Sequence, residues 1–364
     1  MKQGWEIKTL GEVVDVLDKL RKPITKRDRL DGEYPYYGAT GILSYVHNYI
    51  FTEKLVLIGE DGAKWQSGDK TSFIAEGKYW VNNHAHVIRP NRKIILDEWV
   101  VYFLNFSDLT PFITGMTVPK LNQEKMRNIP IPLPPLSEQQ QIVSILDQAF
   151  AAIAKAKANA EQNLKNSKEL FESFLRGVFE NGNWETKTIE EVCYDIFAGG
   201  DAPKDNFSTD PNEKHTIPIY ANAVKNTGLY GYTDFARVTK PCVTISARGS
   251  GTGHTELRNE HFLPIVRLIV CIPDKNQMST EFLKYTIDNL VIKRSGSAIP
   301  QLTVPMIIDY KIPVPTIEEQ RQLIEKAESL RVETKRLEAI YQQKLLNLEE
   351  LKKSVLQKAF NGEL

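Results

Sequence analysis

The sequence is poor in several features that would classify it quickly. It has only three cysteines, Cys193, Cys242 and Cys271, widely spaced and odd in number. That excludes a disulfide-built fold, offers no CxxC pair for zinc or redox work, and suits a reducing cytoplasm. No apolar run approaches the ~20 residues of a membrane span. The opening "MKQGWEIKTL" lacks the apolar stretch of a signal peptide. Net charge is also absent, since 46 basic residues balance 46 acidic ones. A generic nucleic-acid binder is usually basic, so the total counts against bulk phosphate binding. It leaves room for a local basic groove, because binding follows the distribution of charge.

Catalytic signatures are missing too. Gly249, Gly251 and Gly253 in "RGSGTGH" suggest a phosphate loop, but the last glycine of GxGxxG would fall at His254. "SGDKTS" lacks the Gly-Lys pair of a P-loop. "LPPL" (Leu133 to Leu136) is not the Asn/Asp-Pro-Pro-aromatic motif of an amino-methyltransferase, and no glycine-rich S-adenosylmethionine loop precedes it. Asp69, Glu76 and Lys78 fit a loose nuclease spacing that is common by chance. His84 and His86 would share a strand face, but no third ligand accompanies them. A non-catalytic chain is expected, with no metal and no cofactor of its own.

What the sequence does contain is repetition. The 364 residues, 41% hydrophobic and 25% charged, suffice for two or three domains with ordinary cores. "GWEIKTLGEVVDVL" from Gly4 returns as "NWETKTIEEVCYDI" from Asn183, 179 residues later. "IPLPPLSEQQQIV" from Ile131 returns as "IPVPTIEEQRQLI" from Ile312, 181 residues later. "PYYGATGILSYV" is loosely echoed by "PIYANAVKNTGLYGY", and "LRGVFENG" by "LQKAFNGE". Each half is a globular segment followed by a long helix. "KLVLIG", "CVTISA" and "FLPIVRLIVCIP" read as strands, and "LDEWVVYFLNF" and "STEFLKYTIDNL" as helices. The fold class is α+β, with a curved sheet in each globular part.

After each Pro-rich entrance the period changes. Ile142, Leu146, Ala149, Ile153, Ala156 and Ala160 form a heptad seam, matched by Leu323, Ala327, Leu330, Thr334, Leu337 and Tyr341. Both seams then take two consecutive steps of four, at Leu164 and Leu345. Ser137 with Gln140, and Thr316 with Glu319, have capping-box spacing. Each helix of about 45 residues would run roughly 65 Å. Neither can bury its stripe alone, so a pair within the chain is expected, with packing of each helix on its own domain or pairing between chains as the alternatives; an antiparallel pair would put the globular domains at opposite ends.

The two copies diverge most in their central loops, "LIGEDGAKWQSGD" against "TISARGSGTGHTE". These loops carry residue types that read DNA. Arg matches guanine edges, Asn and Gln match adenine, and Ser or Thr hydroxyls reach phosphates. The candidate contacts are Lys64, Trp65, Asn82, Asn83, His84, Lys120 and Asn122 in the first half. In the second half they are Asn222, Lys225, Arg248, Ser250, Thr252, His254 and Gln301.

The two "GWEIKTLGEV"/"NWETKTIEEV" starts, the two "IPxP…EQ" entrances and the terminal "LEELKKSVLQKAFNGEL" together resemble, over the full length, the specificity subunit of type I restriction-modification systems. The resemblance implies target recognition domains at residues 1–134 and 183–315, with long helices at 135–182 and 316–364. The helices would form an antiparallel coiled coil with pseudo-two-fold repetition. Each domain would read half of a bipartite site in double-stranded DNA, and the coil would act as a ruler for the unread spacer. It implies docking of two modification subunits, which carry S-adenosylmethionine and methylate adenine, and of restriction subunits, which use ATP and Mg. No membrane partner is implied. The alternatives are a type IIG-like methyltransferase assembly and, from another class, a scaffold that binds only proteins.

Overall fold

The computed structural model describes residues 4–115, 117–222, 224–249, 251–290 and 301–364. The chain divides into two compact units. The first is Met1–Gln162 with Gln342–Leu364, and the second is Asn163–Tyr341.

In the first unit a four-stranded sheet runs in the order Val14–Val16, Ala85–Pro90, Leu55–Gly59, Ser72–Ala75. Leu55–Gly59 is buried at every position, which is why it reads as an unbroken apolar run rather than an alternating one. Helix Asp97–Phe106 packs on this sheet through Trp99, Val100 and Leu104. A three-stranded sheet orders Gly41–Val46, Tyr34–Gly38 and Trp80–Val81. Glu6–Thr9 pairs antiparallel with Pro130–Leu133, so the start of the domain is tied to the strand that leads into the long helix. Prolines are tolerated there because a two-stranded ribbon leaves one edge of each strand unpaired.

The second unit repeats this plan strand for strand. Its four-stranded sheet orders Cys193–Ala198, Ile269–Pro273, Cys242–Ile245 and Thr255–Arg258. Its three-stranded sheet orders Leu229–Thr233, Ile217–Tyr220 and Leu263–Pro264, and its ribbon pairs Thr186–Thr188 with Lys311–Pro313. Helix Thr280–Asn289 occupies the place of Asp97–Phe106.

The long helices are Leu136–Asn181 and Ile317–Asn361. Burial follows the expected seams, with Ile142, Leu146, Ala160, Ala327 and Thr334 all closed to solvent. Each helix passes from one unit into the other. In the first unit the start of the first helix lies beside the end of the second, antiparallel, with Lys157 Nζ 2.6 Å from Glu349 Oε1. Phe360, near the end of the second helix, packs its ring 5.0 Å from Trp99, 5.3 Å from Phe103 and 5.2 Å from Phe106. In the second unit the end of the first helix does the same work, with Phe179 at 5.8 Å from Phe282 and Phe171 at 6.2 Å from Tyr285. Each core is thus completed by the helix that belongs, in sequence, to the other half.

Two expectations need correction. The run "FLPIVRLIVCIP" is not one strand. Val266 and Arg267 adopt left-handed φ of 52° and 62°, and the chain turns between Leu263–Pro264 and Ile269–Pro273. Thr316 and Glu319 do form a capping box, with Thr316 N bonded to Glu319 Oε2 at 2.8 Å and Glu319 N to Thr316 Oγ1 at 3.3 Å. Ser137 does not cap its helix. The first long helix starts at Leu136, and the position equivalent to Thr316 is Pro135, which has no hydroxyl. Among the described residues no helix is long and apolar enough to cross a membrane.

Candidate nucleic-acid interface

In each unit three segments meet beside the central strand. In the first unit they are residues 60–64, 82–85 and 117–121. Glu60 N donates to His84 O (2.9 Å), Leu121 N donates to Glu60 O (2.8 Å), and Asp61 bridges to Lys120. In the second unit Leu302 N donates to Ala247 O (2.9 Å), and Arg248 bridges to Gln301. Asn222 then ties in the remaining segment: it accepts from Ala247 N (2.7 Å) and donates to Val266 O. The two frames correspond, Glu60 with Ala247, Asp61 with Arg248, Lys120 with Gln301 and Leu121 with Leu302.

The chemistry on these frames differs. In the first unit the segments carry a charge network. Lys120 Nζ lies 2.7 Å from Glu60 and 3.9 Å from Asp61. His84 Nδ1 lies 2.5 Å from Asp61, with its ring half exposed. Beneath them Arg21 bonds Glu60, reaches Asp18 at 3.5 Å, and donates to Ala85 O at 2.8 Å. His86 is fully buried, with Nδ1 2.6 Å from Asp18 and Nε2 2.7 Å from Leu121 O. Burial alone would push the Asp18 carboxyl up. The hydrogen bond and charge of His86, the Val87 amide and Arg21 outweigh it and hold the group below the usual aspartate value. Asp18, Glu60 and His86 converge closely enough to hold a cation. Arg21 and Lys120 already occupy those carboxylates, so the donor set closes as an ion-pair network rather than as a metal cage. His84 and His86 do not act as a pair, since one faces solvent and the other the core.

In the second unit the frame presents cations without that network. Arg248 is half-buried and has no carboxylate partner among the described residues. Glu256 is taken instead by His254, at 2.9 Å. Positive φ at Gly249 (81°) and Gly253 (92°) lets the loop fold back, so that Gly253 N donates to Ser246 O. Arg267, which sequence reasoning missed, stands exposed on the Val266–Arg267 turn. The turn is pinned by bonds from Val266 N to Gly200 O (2.7 Å) and from Arg267 N to Gly199 O (3.1 Å). A β-branched residue at positive φ is strained and persists only where its surroundings hold it. Nothing in the sequence signals this turn, because neither Val nor Arg is a turn former.

Of the sequence candidates, Lys64, Asn83, His84 and Lys120 in the first unit, and Lys225, Arg248, His254 and Gln301 in the second, lie exposed or half-exposed. Ser250 lies outside the described residues. The others are spent on the fold itself, Trp65, Asn82 and Thr252 buried, Asn122 and Asn222 half-buried. Trp65 is a core residue, with Nε1 donating to Gly59 O at 3.3 Å, so its ring is not free to stack on a base. Asn82 is buried and accepts from His84 N (2.8 Å). Asn122 caps helix Gln123–Arg127 by accepting from Lys125 N (2.9 Å). Asn222 spends both ends of its amide on backbone, and Thr252 is buried with its hydroxyl on Gly249 O (2.7 Å). These five hold the loops in shape.

The three cysteines offer no nucleophile here. Burial pushes the thiols of Cys193 and Cys242 up to about 12, and that of Cys271 well above its usual value, so all three stay protonated at neutral pH.

The sequence profile of the type I restriction modification DNA specificity domain matches twice, at residues 2–165 and 181–347. A Haemophilus influenzae protein named as a type I restriction enzyme specificity subunit is 39% identical over 146 residues, 40% of this chain and 37% of that protein. A Mycoplasma pneumoniae protein named as a type I specificity subunit is 26% identical over 322 residues, 86% of each chain. The crystal structure of the HsdS subunit from Thermoanaerobacter tengcongensis aligns over 100% of this chain and 98% of its own, with a TM-score of 0.66 at 20% identity, and so shares the fold. Two specificity domains in tandem, each presenting a distinct set of loops on one frame, place this chain in the type I restriction-modification specificity family, whose role is recognition of a DNA target.

Proposed function

We propose that each unit reads one half of a bipartite double-stranded DNA site with the loops gathered beside its central strand. The observation that carries this is the paired frame: identical backbone bonds at Glu60/Leu121 and Ala247/Leu302 support different outward side chains. One scaffold therefore presents two chemistries. Arg248, Arg267 and Gln301 supply fork and amide groups suited to base edges in the second unit, and Lys64, Lys120, Asn83 and His84 supply ammonium, amide and imidazole groups in the first.

The long helices set the distance between the half-sites. They also offer docking surface, because Leu346 and Leu351 in the first unit, and Leu170, Val332 and Ile340 in the second, leave large apolar side chains exposed on them. The occupants are two modification subunits, which bind S-adenosylmethionine and methylate adenine, and restriction subunits, which use ATP and Mg. The chain itself performs no catalysis and directs methylation or restriction by these partners. The test is a gel shift on a duplex carrying the motif mapped from the host's methylated adenines, with and without the modification subunit. Equal affinity for a scrambled duplex in both conditions would reduce the chain to a protein scaffold.

A further inference from the structure

The first unit's connection between Val14–Val16 and Tyr34–Gly38, residues 17–33, has six basic and four acidic residues, with all six cations gathered in a strap over 19–29, "KLRKPITKRDR". The corresponding stretch of the second unit, 199–215 between Cys193–Ala198 and Ile217–Tyr220, has four acidic residues and two lysines. The basic character therefore belongs to one copy and not to the shared framework.

Two of the six cations clasp the strap to the domain. Arg21 turns inward onto Glu60 and the carbonyl of Ala85. Arg29 lies over the Tyr36 ring, 4.4 Å from its centroid, and donates to Ile24 O at 3.3 Å. Backbone ties complete the hold. Trp80 Nε1 donates to Lys22 O (2.7 Å) and Ile24 N donates to the Tyr36 hydroxyl (2.9 Å). Asp28 is occupied by Thr25 Oγ1 at 2.6 Å. The other four, Lys19, Lys22, Lys26 and Arg27, are exposed, and none has a carboxylate partner among the described residues. Through Arg21, which also reaches Asn83 O at 3.3 Å, the root of the strap is bonded to the loop that carries His84, and through the shared Glu60 it is linked to Lys120.

We infer that this strap is a phosphate-backbone clamp, which grips the duplex beside the first unit's reading loops while carrying no sequence information. Its four cations are held on a fixed main chain, so little backbone ordering remains to be done on binding. Because the second unit lacks the clamp, backbone grip is lopsided. The inference rests on DNA being the ligand and adds where the phosphates lie.

The experiment uses the full chain. Affinity for the methylome-derived duplex and for a scrambled duplex is measured across a salt series for the natural protein and for a triple variant, Lys22→Gln, Lys26→Gln and Arg27→Gln. Loss of three phosphate contacts should make the slope of log K against log salt shallower by about three on both duplexes, at ~0.9 per phosphate. The ratio between the two duplexes should stay within about twofold. A charge-preserving triple, Lys22→Arg, Lys26→Arg and Arg27→Lys, should keep the natural slope and guards against misfolding. An unchanged slope in a folded glutamine triple overturns the clamp. So does an altered motif at unchanged slope, which would make the strap a base reader. Natural DNA affinity with weakened assembly on the modification subunit also overturns it, and would make the strap a protein contact. Motif-specific binding by the natural chain tests the DNA reading separately.

Discussion

The side-chain amide of Gln139 is bonded to the backbone of Leu96, 43 residues away, accepting from its N–H at 3.0 Å. The same amide donates to Ile94 O and to Pro134 O, each at 2.8 Å. Gln320 repeats this, accepting from Ser279 N at 2.9 Å and donating to Gln277 O at 2.7 Å and Pro315 O at 2.8 Å. Both glutamines are fully buried. The twice-written entrance "IPxP…EQ" thus encodes a staple that fixes each long helix to the helix-bearing edge of its recognition domain.

Replacing either staple with leucine, Gln139→Leu or Gln320→Leu, leaves a buried N–H and two carbonyls without partners. Each unmet group costs about 1–3 kcal/mol, so the midpoint of thermal unfolding should fall by several degrees. Calorimetry checks this, and a natural midpoint in both variants would mean that the staples contribute nothing.

Phe360→Ala removes the ring that packs on Trp99, Phe103 and Phe106. Large-to-small truncations of buried aromatics cost about 3–5 kcal/mol. The first unit should become the protease-sensitive one while the second stays resistant, as read by mass spectrometry of limited digests.

Acid stability should depend on Asp18. Its folded value lies below the unfolded one, so the carboxylate stabilises the fold above the ordinary aspartate range, near 3.9. That contribution is lost as pH falls through the lowered value. Asp18→Asn should therefore lower stability at neutral pH and flatten the acid limb of a stability–pH curve. A parallel acid limb in the variant would count against the network.

Arg248→Ala and Arg267→Ala are expected each to relax one position of the second half-site, by about 1–3 kcal/mol of discrimination if the contact is a bidentate guanine fork. Binding to a panel of single-base variants reports this. Wild-type discrimination at every position would remove the residue from the reading surface.

A matched insertion of four residues after Ala156 and before Glu349, which face each other through Lys157, lengthens both helices by roughly 6 Å. At ~3.4 Å per base pair the methylated motif should keep both half-sites and gain about two spacer positions. Sequencing of methylated DNA gives the answer directly, and an unchanged spacer in an active protein refutes the ruler.

The repeat, the heptad seams and the step of four at Leu164 and Leu345 were legible because periodicity survives in a linear string. Orientation was not. Trp65 sits among Gly, Ala and Lys, a context that suggests an exposed turn, yet its ring fills the core. Asn82, Asn122 and Asn222 have the amide that reads adenine, and the same amide caps helices and ties loops, so residue type alone does not choose. The Val266–Arg267 turn was invisible because tertiary bonds, rather than local propensity, impose its left-handed backbone. The strap at 19–29 was passed over because the total charge is zero, and only the clasps at Arg21 and Arg29 show which of its cations are spent and which remain.

The exchange of helix ends between the two cores has a consequence for synthesis. The second unit is a single uninterrupted stretch, Asn163–Tyr341, so everything its core needs has been made before the last turns of the second helix exist. The first unit is made first but needs Leu356, Ala359 and Phe360, so its own core waits until the last turns of the second helix have been made. Closing that core brings Phe360 against Trp99, Phe103 and Phe106, segments more than 250 residues apart in the chain and the slow kind of contact in folding. Until then the faces of Trp99, Phe103 and Phe106 that Phe360 covers stand open on the nascent chain. The domain that leaves the ribosome first is the one that finishes last.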